Sequence, residues 1–185
     1  MMKKILVLFI LFMLTTVSAI SAESPRWMAQ PIYVYVPQYG YFTTLMKKAF
    51  KTWEQCSDSL VRFQFVNSPN DAKIQVEFVD FVTNCANHQN AVGCTQLATR
   101  GRNYYQSVVT IGTKEYAKVY NGAVYTSKLR FSPRKNIYGV MLHEVGHSLG
   151  LGHSESPKSI MYPYDLPTLQ YLTKDDLALL YRKYH

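Results

Sequence analysis

The segment HEVGHSLGLGHS, residues 143–154, constrains this chain more than any other, because it holds three of the five histidines. His143 and His147 are four residues apart, so a helix would place both side chains on one face. His153 comes ten residues after His143. A continuous helix, rising about 1.5 Å per residue, would carry it roughly 15 Å along the axis. A metal ion shared by the three histidines therefore requires the helix to end after His147.

Gly150 marks a place where that helix can end. Glycine adopts the left-handed conformation of helix C-caps at little cost, so the chain can turn and bring His153 back. We therefore predict that His143, His147 and His153 bind one catalytic zinc ion, which prefers neutral imidazole nitrogens and keeps a position for water. Glu144, beside the first ligand, is predicted to be the general base. The alternative is a helix with surface histidines and an ordinary glycine cap.

The first 22 residues differ in kind from the rest. A short basic start, MMKK, precedes the apolar run ILVLFILFMLTTV, and small residues follow, with Ala19 and Ala22 as cleavage points. This layout predicts a signal peptide over 1–22 and one mature domain over 23–185. The alternative is an uncleaved membrane anchor, for which the apolar run is short. We therefore expect a secreted or otherwise extracytoplasmic protein, with no stable membrane anchor after cleavage.

The three cysteines, Cys56, Cys85 and Cys94, permit one disulfide in an oxidising compartment. Cys85 and Cys94 are close together within a polar segment, so we favour that pair. Cys56 would then be a buried small residue or a free thiol. All three pairings remain open from the sequence.

The formal net charge is +8, and two of the lysines, Lys3 and Lys4, lie in the predicted signal peptide. The other basic residues are scattered, with no run longer than two, as at Lys47 and Lys48. A nucleic-acid partner would require a basic stripe, so none is expected. Solvated surface charge is the simplest interpretation, and a diffuse attraction to anionic polymers is the alternative.

Hydrophobic periodicity predicts both strands and helices. Helical spacing of apolar residues indicates a helix over about 42–56. A second helix is predicted over 137–149, after the Ser-Pro start at 132–133, and a third after the cap Thr173, with Asp176 three residues on. Alternating or β-branched residues predict five strands, of which the fourth is the weakest: 31–37, 60–66, 72–79, 91–97 and 107–112. This order predicts an α+β domain with helices packed on a sheet.

The pattern HExxHxxGxxH is the metzincin signature, and this chain resembles that group of metallopeptidases. Ser154 follows the third histidine as in the matrixin branch, the matrix metalloproteinase family. SIMYP, residues 159–163, resembles the family's Met-turn, with Met161 under the metal. LTKDDLALLYRKY resembles its closing helix, with the paired acids Asp175 and Asp176. The resemblance implies a zincin-like fold: a twisted five-stranded mixed sheet, a backing helix, an active-site helix and a C-terminal helix.

The chain also departs from that family. Between Asp80 and Glu115 there is no acidic residue and a single histidine, His88. A second, structural zinc is therefore not expected, and no residues in this stretch support calcium sites. The segment 163–165 reads Pro-Tyr-Asp where the family has Pro-x-Tyr, so the shape of the specificity pocket is left open. No inhibitory propeptide is expected between the signal peptide and the first strand.

The resemblance implies a secreted zinc endopeptidase that acts as a monomer on a protein or peptide substrate. We expect the substrate to bind in an extended conformation along an edge strand, near 91–97; no substrate-binding residue can be assigned. One alternative is a non-catalytic or weakly catalytic metzincin-like protein that binds a surface polymer. A second alternative is a zinc hydrolase that acts on a substrate other than protein.

Overall fold

The computed structural model describes residues 24–83, 85, 91–114, 119–120, 123–124, 134–163 and 170–185. The predicted signal peptide over 1–22, His88, the helix start at 132–133 and the segment 164–165 lie outside them. The elements are, in chain order, β1 (Ile32–Tyr35), α1 (Tyr41–Cys56), β2 (Phe63–Val66), a 3-10 turn (Pro69–Asp71), β3 (Ile74–Val79), β4 (Gly93–Arg100), β5 (Asn103–Gly112), β6 (Val119–Tyr120), β7 (Ala123–Val124), α2 (Arg134–Ser148) and α3 (Lys174–Tyr184).

Five strands form one mixed sheet in the order β2-β1-β3-β5-β4. The first four strands in that order run parallel, and β4 pairs antiparallel with β5 through a tight turn at Gly101, whose φ is 59°. β6 and β7 pair separately. The predicted α+β class and five-stranded mixed sheet are thus confirmed. The antiparallel strand β4 lies at the edge of the sheet.

Alternation along the strands explains which sheet face packs against the helices. Ile32 and Val34 of β1 are buried, whereas Tyr33 between them is exposed. The apolar face of α1 packs on the buried side, as the spacing of its apolar residues predicts. Trp53 of α1 is fully buried, and its indole nitrogen donates a hydrogen bond to the carbonyl oxygen of Leu142 in α2, 2.9 Å away. The helices α1 and α2 are therefore joined directly.

Several element boundaries differ from the prediction. The weak candidate strand over 91–97 is β4 and extends to Arg100, and the strand predicted over 107–112 begins at Asn103. These extensions are mostly polar, so hydrophobic alternation does not indicate them; backbone pairing between β4 and β5 forms them instead. Among the described residues, no helix is long and apolar enough to cross a membrane.

Candidate metal centre

The turn at the end of α2 brings the third histidine back to the first two. The amide of Gly150 donates to the carbonyl oxygen of His147 at 2.8 Å, and the amide of Leu151 donates to that of Gly146 at 3.1 Å. These two bonds form a Schellman motif, which ends a helix with a residue at positive φ. Gly150 has a φ of 85°. A Cβ atom there would lie 2.3 Å from the hydroxyl oxygen of Tyr104, so both conformation and space require glycine.

Side chains from both ends of the described chain satisfy the last carbonyl groups of α2. The indole of Trp27 donates to the carbonyl oxygen of Ser148 at 2.8 Å, and the hydroxyl of Tyr184 donates to that of Leu149 at 3.1 Å. Carbonyl groups at a helix C-terminus have no partner within the helix. These bonds therefore stabilise the turn that leads to the third histidine.

The three predicted metal ligands meet at one point. Each of His143, His147 and His153 offers a ring nitrogen, and the three atoms lie within 4.8 Å of one another. The Nε2 atoms of His147 and His153 are 3.2 Å apart. Two nitrogens bound tetrahedrally to zinc at 2.0–2.1 Å would be about 3.3 Å apart, so this pair fits the metal. No other such group of metal-binding side chains occurs among the described residues.

Hydrogen bonds to main-chain carbonyls orient the first two rings. Nδ1 of His143 lies 2.7 Å from the carbonyl oxygen of Ile160, and Nδ1 of His147 lies 2.8 Å from that of Leu151. A carbonyl oxygen only accepts, so each Nδ1 carries the proton and each Nε2 keeps its lone pair for a metal. Burial lowers the pKa of both rings, and that of His147 falls to about 4 because a second imidazole, His143, titrates beside it. Both rings are thus neutral at pH 7, as metal ligands must be.

Glu144 follows the first candidate ligand, His143, and its side chain is buried. Its side chain is only 5% exposed, and burial raises the pKa of its carboxyl group to about 7, against the opposing hydrogen bond from Thr95. The Thr95 hydroxyl on β4 lies 2.7 Å from Oε2 of Glu144. A carboxyl group that titrates near neutral pH can both accept and donate a proton, which is the property of a general acid–base group.

Met161 lies directly beneath the helical turn that carries the first two histidines. Its side chain is fully buried, and a Cβ atom on Gly146 would lie 2.4 Å from its sulfur atom. The buried carboxylate of Asp176 accepts hydrogen bonds from the Ser159 hydroxyl and, at 3.2 Å, from the Ile160 amide. Asp176 also completes the capping box of α3 with Thr173. One carboxylate therefore fixes both residues 159–160, which precede Met161, and the start of the last helix.

The structure pairs Cys85 with Cys94 in a disulfide and leaves Cys56 as an exposed free cysteine. Cys94 lies between Gly93 and Thr95 of β4, two residues that contact Glu144. The disulfide therefore anchors the edge strand at the point where that strand meets the general-base candidate.

The sequence profile of the Matrixin family matches residues 38–185 of this chain. The chain belongs to the matrixin family. This membership confirms the resemblance inferred from HExxHxxGxxH. It also agrees with the α+β architecture and with the histidine cluster at the end of α2.

Individual relatives match this chain either over a short segment or over most of its length at lower identity. Macrophage metalloelastase of Rattus norvegicus is 53% identical over 45 residues, covering 23% of this chain and 10% of that protein. Matrilysin of Rattus norvegicus is 50% identical over 52 residues, covering 26% and 20%. Metalloendoproteinase 1 of Glycine max is 28% identical over 172 residues, covering 84% and 51%. The chain thus spans about half the length of these relatives or less.

The site contains residues that the sequence indicated and others that it did not. The histidines, Glu144, Gly150 and Met161 were candidates from the motif, and the fold brings them together. The sequence predicts Asp176 in the cap of the last helix, but it does not indicate the contacts of Asp176 with Ser159 and Ile160. The sequence does not indicate the contacts of Gly93 and Thr95 with Glu144. A threonine is common in any strand, and no local pattern links either residue to a helix that follows much later in the chain.

Proposed function

We propose that this matrixin is a zinc-dependent endopeptidase that cleaves peptide bonds of protein or peptide substrates. The observation that carries the proposal is the convergence of three histidine nitrogens within 4.8 Å of one another at the end of α2, the helix that also carries the buried Glu144. Three histidine ligands leave a fourth position for water, as in catalytic zinc sites. Zinc bound by His143, His147 and His153 would supply Lewis acidity, which polarises a peptide carbonyl and makes a water molecule more acidic.

The chain itself supplies the proton transfers. Glu144 accepts a proton from the attacking water, whose oxygen forms the new bond to the carbonyl carbon. The carbon–nitrogen bond then breaks, and Glu144 donates the proton to the departing amine. A carboxyl pKa of about 7 suits both steps near neutral pH. The Nδ1 hydrogen bonds of His143 and His147 keep their Nε2 atoms aimed at the site throughout.

An extended peptide fits the edge of the sheet. β4 is the edge strand next to Glu144, and one side of it is paired to β5. Among the residues that the structure describes, no second strand pairs with β4, and a peptide can pair with its main chain as an added strand. We propose that β4 aligns the substrate with the scissile bond near the three histidines. We further propose that residues 1–22 direct secretion of a monomeric enzyme.

The test removes the carboxyl group of Glu144 and leaves the three candidate zinc ligands unchanged. Glu144→Ala should lower kcat on a quenched-fluorescence peptide by about 10²–10⁴-fold, the usual contribution of general acid–base catalysis. It should still bind one zinc ion per chain, measured by atomic absorption, because the histidines are unchanged. Glu77→Ala, which removes an exposed carboxylate from β3, is the matched control and should behave like the parent.

Two outcomes would overturn the proposal. Unchanged turnover by Glu144→Ala would exclude its role as general base. Absence of cleavage by the zinc-loaded parent across a peptide library, with chelator-treated protein as blank, would instead favour the alternative of a non-catalytic surface-binding protein.

A further inference from the structure

Thr95 contacts the general-base candidate from the edge strand. Its hydroxyl oxygen lies 2.7 Å from Oε2 of Glu144 and 3.0 Å from the main-chain carbonyl oxygen of the same residue. We infer that Thr95 is a positioning residue that fixes the Glu144 carboxylate in the orientation needed for proton transfer. The inference rests on the proposed peptidase function and assigns to that site a residue outside the zinc-binding motif.

The register of the sheet explains why this threonine points at Glu144. Thr95 is paired with Val109 of β5, which is fully buried on the face that packs against the helices. Neighbouring residues on β4 alternate in direction. Thr95 therefore points inward to α2, while Cys94 points to the other face and forms the disulfide with Cys85. The Thr95 hydroxyl and the disulfide of Cys94 therefore lie on opposite faces of the strand at adjacent residues.

Gly93 forms the second contact between β4 and the same carboxylate. A Cβ atom there would lie 2.6 Å from Cγ and 2.6 Å from Oε1 of Glu144. Real Cβ atoms do not approach that closely, so the carboxylate fills the space that a side chain at this position would take. Thr95 thus binds Oε2 while the bare backbone of Gly93 borders Oε1. The carboxylate is held from both sides by a strand 49 residues away in sequence.

Loss of the Thr95 hydroxyl should affect turnover more than it affects the binding of substrate or zinc. A buried carboxylate that loses its hydroxyl partner can rotate about its last torsion, because terminal sp³–sp² torsions are broad. The proton-accepting oxygen then spends less time facing the water. The histidine ligands and the main-chain groups of β4 are untouched. We therefore expect kcat to fall while the KM and the zinc content stay close to those of the parent.

The experiment compares three variants of the full chain. Thr95→Val removes the hydroxyl at nearly constant shape, Thr95→Ser restores a hydroxyl, and Thr110→Val makes the same change on the neighbouring strand β5, at a position facing away from Glu144. Each variant is assayed for kcat and KM on a quenched peptide, for zinc per chain and for thermal unfolding. Thr95→Val should lower kcat by about ten- to 100-fold, the range expected for one hydrogen bond to a charged group. Thr95→Ser should recover most of that loss, and Thr110→Val should match the parent.

The outcomes separate this inference from the proposed function. Suppose that Glu144→Ala is inactive and that folded, zinc-loaded Thr95→Val keeps its kcat within about twofold of the parent. That change is smaller than the effect of one such hydrogen bond, so the inference would be overturned and the peptidase proposal would stand. Equal impairment of Thr95→Ser and Thr95→Val would also overturn it, since packing rather than the hydroxyl would then matter. Full activity of Glu144→Ala would overturn both proposals.

Discussion

Two regions of the molecule build the candidate site in different ways. The candidate metal-binding segment, residues 143–161, supplies the three candidate histidine ligands, the general-base candidate and Met161 from one continuous stretch. The edge strand β4 reaches the same site across 49 residues of sequence through the contact of Thr95 with Glu144. The first region is specified by local spacing, and the second by how a strand and a helix pack.

The difference predicts that the two regions fail differently when they are disturbed. Damage to the turn after α2 should move a ligand, so zinc binding and stability should fall together. Damage to β4 should move the surroundings of Glu144, so that turnover falls while zinc stays bound. Each substitution below tests one side of this separation.

The largest effect is expected at Gly150. Gly150→Ala places a side chain at a φ of 85°, with its Cβ atom 2.3 Å from the Tyr104 hydroxyl oxygen. The left-handed conformation and the overpacking together should cost about 4 kcal/mol. The turn should also shift His153 away from the other ligands. Urea unfolding and zinc titration measure the two losses.

Gly152→Ala is the matched control, because it makes the same change two residues further on. A Cβ atom at Gly152 would have no heavy atom within 4 Å, so stability and zinc affinity should stay near those of the parent. If Gly150→Ala behaved like this control, the turn would not hold the third ligand in place.

A smaller effect is expected at Asp176, which supports the candidate metal-binding segment from below. Asp176→Asn removes the charge and replaces one carboxylate oxygen by an NH₂ group. That group faces either the Ser159 hydroxyl, which must then accept instead of donate, or the amides of Ile160 and Thr173, which cannot accept. Loss of buried, charge-assisted hydrogen bonds should cost about 3 kcal/mol. Chemical unfolding of the zinc-loaded protein measures the loss.

Asp175→Asn is the control next to it. Asp175 is exposed and accepts one bond, from the Ser156 hydroxyl at 3.3 Å, so its replacement should change stability by no more than about 0.5 kcal/mol. Equal effects of the two substitutions would show that the buried carboxylate does not anchor the segment under the metal.

The residues that sequence could predict are those whose partners are close along the chain. The i and i+4 histidines, the glycine that ends their helix and the Thr173 cap with Asp176 all depend on contacts within one or two turns. The sequence alone leaves all three cysteine pairings open. The structure contains the favoured pair, Cys85 with Cys94.

The remainder depends on long-range packing that no local pattern encodes. The strand order β2-β1-β3-β5-β4 places the weakest predicted strand at the edge, next to the site. Gly93 and Thr95 acquire a role only when β4 crosses α2 beside Glu144. Threonine is common in strands generally, so its presence in β4 does not indicate a partner for its hydroxyl until both elements are in place.

The smallest effect on stability, and the sharpest test of the two-region comparison, comes from the disulfide on β4. Replacing both Cys85 and Cys94 by Ser opens a loop with a sequence separation of 9, which should cost about 2–3 kcal/mol by chain entropy. Because Cys94 lies between Gly93 and Thr95, we expect kcat to fall while zinc remains bound, the opposite of the Gly150→Ala pattern. Cys56→Ser, which alters an exposed cysteine without a disulfide, should match the parent in every measurement. If the double variant instead lost zinc as Gly150→Ala is expected to, the edge strand would support the metal itself, and the separation between the two regions would be wrong.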